Sequence, residues 1–278
     1  MPRPAGPPCT QLHCAQLSLA ATTFAATGAA PAAASADGAP HKKPTVVLVH
    51  GAFADASSWS GVIKRLERDG NPVIAPANPL RGLNSDSAYL AALLKTVKGP
   101  VVLVGHSYGG AVISQAADHD PNVKALVYIA AFSPAKGESA AELSGKFPGG
   151  TLGSTLTQVP VPLAGGGTGT DLYIDPAKFH NQFAADVPRA TADLMAATRR
   201  PITDYALNEK ATKEAWKTIP SWDLITTQDK NIPAAAQRFM AKRAHSHSIE
   251  FKASHAVSVS RPDVVTKLVE EASAAAVR

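Results

Sequence analysis

Cysteine is nearly absent from the 278-residue chain. There are two, Cys9 and Cys14, and both stand in the first fourteen residues. Beyond them no disulfide, thiolate nucleophile or cysteine-ligated metal site can be built. The remainder must be held by its core alone, and a chain of this length can bury enough for one large domain. Aromatic residues are scarce as well, at 6%. They form no stripe between cations. Lys and Arg total 27 against 22 Asp and Glu, a formal charge of +5, yet no basic run exceeds two residues. The clustered footprint of a nucleic-acid surface is therefore missing. No 18-residue stretch is strongly apolar, which argues against a spanning helix. What remains, 45% apolar and 18% charged, is the balance of an ordinary globular chain.

The first 36 residues differ in kind. Arg3 is their only Lys or Arg. Leu17 to Ala34 is rich in Ala, Leu and Thr, and Ala34-Ser35-Ala36 then offers a small-x-small cleavage site before Asp37. The pattern predicts a secretory signal over residues 1–36, a linker over 37–44, and a secreted or periplasmic domain over 45–278.

From Thr45 onward, short apolar runs alternate with helical stretches. The expected strands are Val46–Val49, Val73–Ala75, Val101–Val104, Ala125–Ala130, Trp222–Thr227 and Ile249–Lys252. The expected helices are Trp59–Arg68, Ala88–Val97, Ala111–Ala117, Ala234–Arg243 and Val264–Ala275. Strands apolar throughout suit a parallel sheet covered on both faces. The alternation predicts an α/β fold, a doubly wound and mostly parallel sheet. Residues from about 133 to 218 break the rhythm, with helix-like pieces around Asp186–Thr198 and Thr203–Trp216. They are expected to form an inserted lid over the carboxyl ends of the strands, where ligands bind in such sheets.

Gly105-His106-Ser107-Tyr108-Gly109 fits the G-x-S-x-G nucleophile elbow. The motif alone is weak, but Val101–Val104 leads into it and a helical run leaves it, which is the strand–turn–helix setting it needs. Ser107 is the expected nucleophile. A serine hydroxyl needs a base, and nine histidines compete. His13 and His41 precede the domain. His106 should point away from Ser107, His119 lies in a turn, and His180 is in the insertion. His245 and His247 come before the last strand, at the wrong edge, and two ligands are too few for a metal site. His255 follows the last strand and shares the edge of Ser107. The orienting acid should close a strand between the two, in the order Ser…Asp…His. Asp229 does so. Asp223 lies near the start of its strand and Glu250 within one. Asn231 and Pro233 beyond Asp229 suggest a helix cap and first-turn proline. The oxyanion donors expected are the backbone N–H groups of Tyr108 and of Ala52, in the loop after Leu48-Val49-His50-Gly51. Trp59 is placed near the pocket.

These motifs carry a resemblance. Leu48-Val49-His50-Gly51-Ala52, Val104 to Gly110, the Asp229 loop and Ser254-His255-Ala256-Val257-Ser258-Val259-Ser260-Arg261-Pro262 resemble the α/β-hydrolase superfamily. Within it the chain is similar to the methylesterase and hydroxynitrile lyase branch and its bacterial relatives. The resemblance implies the triad Ser107, Asp229 and His255, with Ala52 and Tyr108 as oxyanion donors. It also implies that lyases of the branch carry threonine where Gly51 stands and lysine where Ala256 stands. The expectation is a serine esterase cleaving a small carboxylic ester through an acyl-enzyme, with no metal or organic cofactor. Rival readings are a hydroxynitrile lyase, amidase, lactonase or perhydrolase on the same fold, or a ligand-binding homologue without turnover. The expected partner is a small-molecule ester, with neither nucleic acid nor a membrane span, and the pattern sets no oligomeric state.

Overall fold

A computed structural model describes residues 43–163 and 165–277. The expected signal, both cysteines and residues 37–42 of the linker lie outside the described residues. The chain lays down β1 (Thr45–Val49), α1 (Ser60–Arg68), β2 (Val73–Ile74), α2 (Leu83–Leu94), β3 (Val101–His106), α3 (Tyr108–Ala116) and β4 (Val123–Ile129). An insertion carries α4 (Ala140–Gly145), β5 (Leu156–Pro162), β6 (Thr168–Ile174), α5 (Pro176–Phe183), α6 (Arg189–Thr198), β7 (Ile202–Thr203) and α7 (Asp204–Asn208). Alternation resumes with β8 (Ser221–Thr226), α8 (Ala234–Arg243), β9 (His247–Phe251), the short α9 (Val257–Ser260) and α10 (Pro262–Ala275).

Six strands pair in the order β2-β1-β3-β4-β8-β9, every pair parallel. Both faces are covered, as the continuous apolar runs require. Val46 and Leu48 of β1 pack into one cluster with Trp59, Val62 and Leu66 and with Val265 and Leu268 of α10. Val47 and Val49 face the other way, into the cluster holding Leu90, Leu94 and Val112 of α2 and α3. The strand order reverses between β1 and β3, so their carboxyl ends form the crevice that open α/β sheets use for ligands.

Several expected boundaries move. Helix α2 begins at Leu83 rather than Ala88. Its polar first turn is satisfied internally: Asp86 accepts from the Arg81 N–H and the Tyr108 hydroxyl, and Ser87 Oγ donates to the Val112 carbonyl. Strand β4 starts at Val123 and stops before Ala130, whose φ of 45° ends it. The last strand runs two residues earlier at its start, from His247.

The insertion differs most from expectation. It holds a second sheet, antiparallel, in the order β5-β6-β7. Pro160 and Pro162 disguise β5 as a non-strand in the sequence. It is an edge strand, where a missing N–H is tolerated. Gly166 and Gly167, at φ of 88° and 86°, make the β5–β6 turn. Helix α5 has no counterpart among the expected elements. The helix read over Thr203–Trp216 shrinks to α7 and a terminal 3₁₀ turn. Between them the backbone bonds outward: Ala211 N–H donates to the Glu138 carbonyl and Thr212 N–H to Gln115 Oε1.

Candidate active site

Strand β3 delivers Ser107 into a sharp turn. Its φ of 54° and ψ of −125° lie in a region that ordinary residues avoid, strain the surrounding packing must impose. Two glycines make the turn possible. A Cβ on Gly105 would stand 2.6 Å from the Gly109 carbonyl oxygen, and one on Gly109 would stand 2.4 Å from the Val49 carbonyl oxygen. Ser107 N–H donates to the Ile129 carbonyl at 3.2 Å, and its own carbonyl accepts from Phe132 N–H at 3.1 Å. The elbow is thus pinned to the end of β4.

Asp229 lies three residues beyond β8 and is nearly saturated with hydrogen bonds. Oδ1 accepts from the Asn231 and Ile232 N–H groups at 2.8 and 3.0 Å. Oδ2 accepts from Thr226 Oγ1 at 3.0 Å, Gln237 Nε2 at 3.1 Å and His255 Nδ1 at 2.7 Å. A carboxylate only accepts, so Nδ1 of His255 carries the proton and Nε2 presents its lone pair. His255 is 1% exposed. Its carbonyl bonds to His106 Nε2 at 2.9 Å, and the ring of Phe183 meets its ring edge-on at 4.9 Å. The rings of His106 and His255 lie 4.7 Å apart. No hydrogen bond joins His255 to Ser107 in this structure, and such contacts commonly tighten only around substrate.

Neither the Ala52 nor the Tyr108 N–H has an acceptor among the described residues, whereas the next N–H after Ala52, that of Phe53, is held by the Arg200 carbonyl at 3.0 Å. The Ala52 loop is fixed by His50. Its Nδ1–H donates to the Gly51 carbonyl and its Nε2 accepts from Asn78 N–H, both at 2.9 Å. Burial pushes the His50 pKa down, in keeping with a neutral ring that shapes the loop. Tyr108 turns its hydroxyl to Asp86 Oδ2 at 3.0 Å, and burial pushes both groups up.

A cavity of about 270 Å³ opens beside Ser107. Phe53, Phe132, Leu152, Leu156 and Ile232 give it an apolar wall, and Ser144 and Asn231 add polar points.

The structure therefore brings Asp229 into contact with His255, places Ser107 at the same sheet edge, and leaves the Ala52 and Tyr108 N–H groups unengaged. Other expectations change. Trp59 is fully buried among α1 and α10 and does not line the cavity. Asn231 does not cap α8, whose N-cap is Pro233 without a side-chain bond. Asp229 Oδ1 instead holds the Asn231 and Ile232 N–H groups of the loop ahead of the helix, whose first turn bonds to the Pro233 carbonyl. Asp223 lies buried in mid-strand, and exposed Glu250 pairs with Arg238. His247 stacks on Trp222 at 5.1 Å. Among the described residues no three His, Cys, Asp or Glu side chains cluster to hold a metal ion. No described helix is long and apolar enough to cross a membrane. Sequence reasoning missed Gln237, which braces Asp229, and the pair Phe183 and Asp186. Asp186 accepts from Ser254 N–H at 3.1 Å and from the Ser254 and Ser260 hydroxyls. No local pattern marks any of the three.

Residues 46–268 match the alpha/beta hydrolase family. The chain belongs to that family. It is 27% identical to an alpha-hydroxynitrile lyase of Arabidopsis thaliana over 220 residues, covering 72% of this chain and 84% of the relative. It is 26% identical to methylesterase 1 of the same plant over 224 residues, covering 72% and 83%. Its fold superposes on the crystal structure of polyneuridine aldehyde esterase with a TM-score of 0.71 at 20% identity, over 82% of this chain and 98% of that one. The esterase and lyase branch suggested by the motifs is thus also where these two sequence relatives lie.

Proposed function

We propose that the chain is a carboxylic-ester hydrolase that works through an acyl-enzyme on Ser107. The observation that carries this reading is the 2.7 Å bond from His255 Nδ1 to Asp229, which leaves Nε2 free to accept a proton at the edge where strained Ser107 stands. His255 Nε2 takes the hydroxyl proton as Ser107 Oγ attacks the ester carbonyl. The Ala52 and Tyr108 N–H groups hold the oxyanion, each contributing on the order of 3 kcal/mol to lowering the barrier. The imidazolium, stabilised by Asp229, gives its proton to the departing alkoxide. Water, deprotonated by His255, then releases the acid and restores Ser107. The modest apolar cavity favours a small ester over a long acyl chain.

Gly51 speaks against the lyase. The resemblance places a threonine there in lyases, but here a Cβ would fall 2.6 Å from Ser107 Cβ and 2.8 Å from the His106 carbonyl oxygen. We further propose export, with a mature chain beginning at Asp37. N-terminal sequencing of secreted material checks it, and an intact Met1 in that fraction refutes it.

Ser107→Ala tests the chemistry. Hydrolysis of p-nitrophenyl acetate should fall to the buffer rate, with thermal stability retained. Turnover persisting in a clean preparation of the variant overturns the nucleophile assignment.

A further inference from the structure

Asn231 is two residues beyond Asp229, lines the cavity beside Ser107, and is only 3% exposed. Three of the four polar groups of Asn231 are engaged. Its N–H donates to Asp229 Oδ1 at 2.8 Å, and its carbonyl accepts from Ser144 Oγ at 3.0 Å. Its Oδ1 accepts from Gln182 Nε2 at 2.8 Å. The fourth group, Nδ2, has no acceptor among the described residues, and it is not among the fully buried atoms left without a partner, so it is the part of this nearly buried residue open to a ligand.

The amide cannot be turned over to relieve this. Gln182 Nε2 also donates to the Lys230 carbonyl at 2.9 Å, and Gln182 Oε1 accepts from the Thr151 hydroxyl at 2.8 Å. A carbonyl can only accept, so the nitrogen of Gln182 is identified by its partner. It follows that the oxygen of Asn231 faces Gln182 and the NH₂ faces away. The result is a rigid donor on a wall residue of a mostly apolar cavity that also contains the reacting serine. Donors placed in that way fix the orientation of a ligand and reject analogues that lack the matching acceptor.

We propose that Asn231 is a specificity-determining residue of the ester hydrolysis: its Nδ2 donates to an oxygen acceptor on the substrate arm that fills the cavity. The favoured substrates are small uncharged esters carrying a carbonyl or ether oxygen on that arm, in preference to hydrocarbon esters of equal size. This rests on the ester-hydrolase reading above.

The test uses matched pairs of esters. On the acyl side they are p-nitrophenyl methoxyacetate against butanoate, and 4-methoxybutanoate against hexanoate. On the alcohol side the pair is 2-methoxyethyl acetate against butyl acetate. Each kcat/KM is divided by the hydroxide-catalysed rate of the same ester, which removes intrinsic reactivity. In at least one pair the oxygen-bearing ester should lead by about tenfold, the worth of one buried hydrogen bond. Asn231→Leu should collapse that ratio to near one. Asn231→Asp keeps an oxygen toward Gln182 and replaces the donor by an acceptor, so it should invert the ratio, which also serves if the leucine variant does not fold. Serine-dependent turnover with no preference in any pair, or a ratio unchanged in the variants, overturns the inference and leaves the hydrolase standing. Turnover that survives Ser107→Ala overturns the hydrolase reading, and the inference falls with it.

Discussion

Replacing Asp229 by Asn conserves shape and removes one charge, and the hydrogen bonds around the carboxylate determine the effect. It accepts five of them, two on Oδ1 and three on Oδ2. An asparagine has one oxygen and one NH₂. With the NH₂ at the Oδ1 position it faces two backbone N–H groups that cannot turn. With the NH₂ at the Oδ2 position it faces the Thr226 hydroxyl, which can rotate, the Gln237 amide, which has other acceptors in Thr226 Oγ1 and the Ile232 carbonyl, and His255. The second arrangement is cheaper, and it requires His255 to shift its proton from Nδ1 to Nε2. The base then presents a proton, not a lone pair, to Ser107. Loss of kcat by about 10⁴-fold is the measured scale for that tautomer error in a serine protease, equivalent to roughly 5.5 kcal/mol of barrier. KM should change little, because Asp229 does not line the cavity. Stability should fall by about 2–3 kcal/mol, since bonds to a charged acceptor become neutral ones. Steady-state kinetics on p-nitrophenyl acetate and urea unfolding read both quantities. A folded variant within tenfold of the parental kcat would refute the role given to Asp229.

Three further outcomes rest on the packing. Gly51→Ala puts a Cβ 2.6 Å from Ser107 Cβ, so stability should fall by about 1–3 kcal/mol and kcat/KM by about 100-fold through misplacement of the nucleophile; normal kinetics would mean the two loops are less closely apposed. Asp186→Ala strands the donors of Ser254 and Ser260 beside the His255 loop, so kcat should drop about tenfold and the Tm should fall, and an unchanged Tm would refute the clamp. Asp223 is buried with Oδ2 unpartnered, and burial pushes its carboxyl up to about 7 from 3.8. An acid raised on folding stabilises the fold below its unfolded pKa and loses that contribution as pH climbs through the folded value, so this group should destabilise the protein progressively from about pH 4 to 7. Asp223→Asn should therefore gain stability on the parent across that window, by up to about 4 kcal/mol at pH 8, and a pH-independent difference in urea midpoints would refute it.

The residues that could be read from sequence are those whose signal is local. Ser107, Asp229 and His255 each follow an apolar run that becomes a β-strand, and in a parallel sheet every such run delivers its next residues to the same edge. The Ala52 loop is legible for the same reason. What supports them is not local. Phe183 and Asp186 reach the His255 loop from about seventy residues away, and Gln237 reaches Asp229 across the first turn of α8, where its side chain looks like any other helical polar group. Asn231 shows the limit well: Asn ahead of Pro233 has the pattern of a helix cap, yet Gln182, a residue of the insertion, claims its oxygen instead.

The insertion is the least legible part, and the same physics explains why it should govern substrate choice. Its sheet is short, antiparallel and edged by the proline-bearing β5, so neither strand periodicity nor apolar continuity betrays it. Ala140, Ser144, Gly150 and Leu152 line the cavity from its first segment, where a change of one methyl or hydroxyl alters the space directly. By contrast the elbow and the loop after β1 that faces it tolerate almost nothing, because Gly51, Gly105 and Gly109 already hold neighbours closer than any added Cβ allows. The proposed chemistry is thus confined to the sheet edge, where packing forbids variation. On the proposed reading selectivity falls to the insertion and to Asn231, where single substitutions should change which ester fits without moving Ser107.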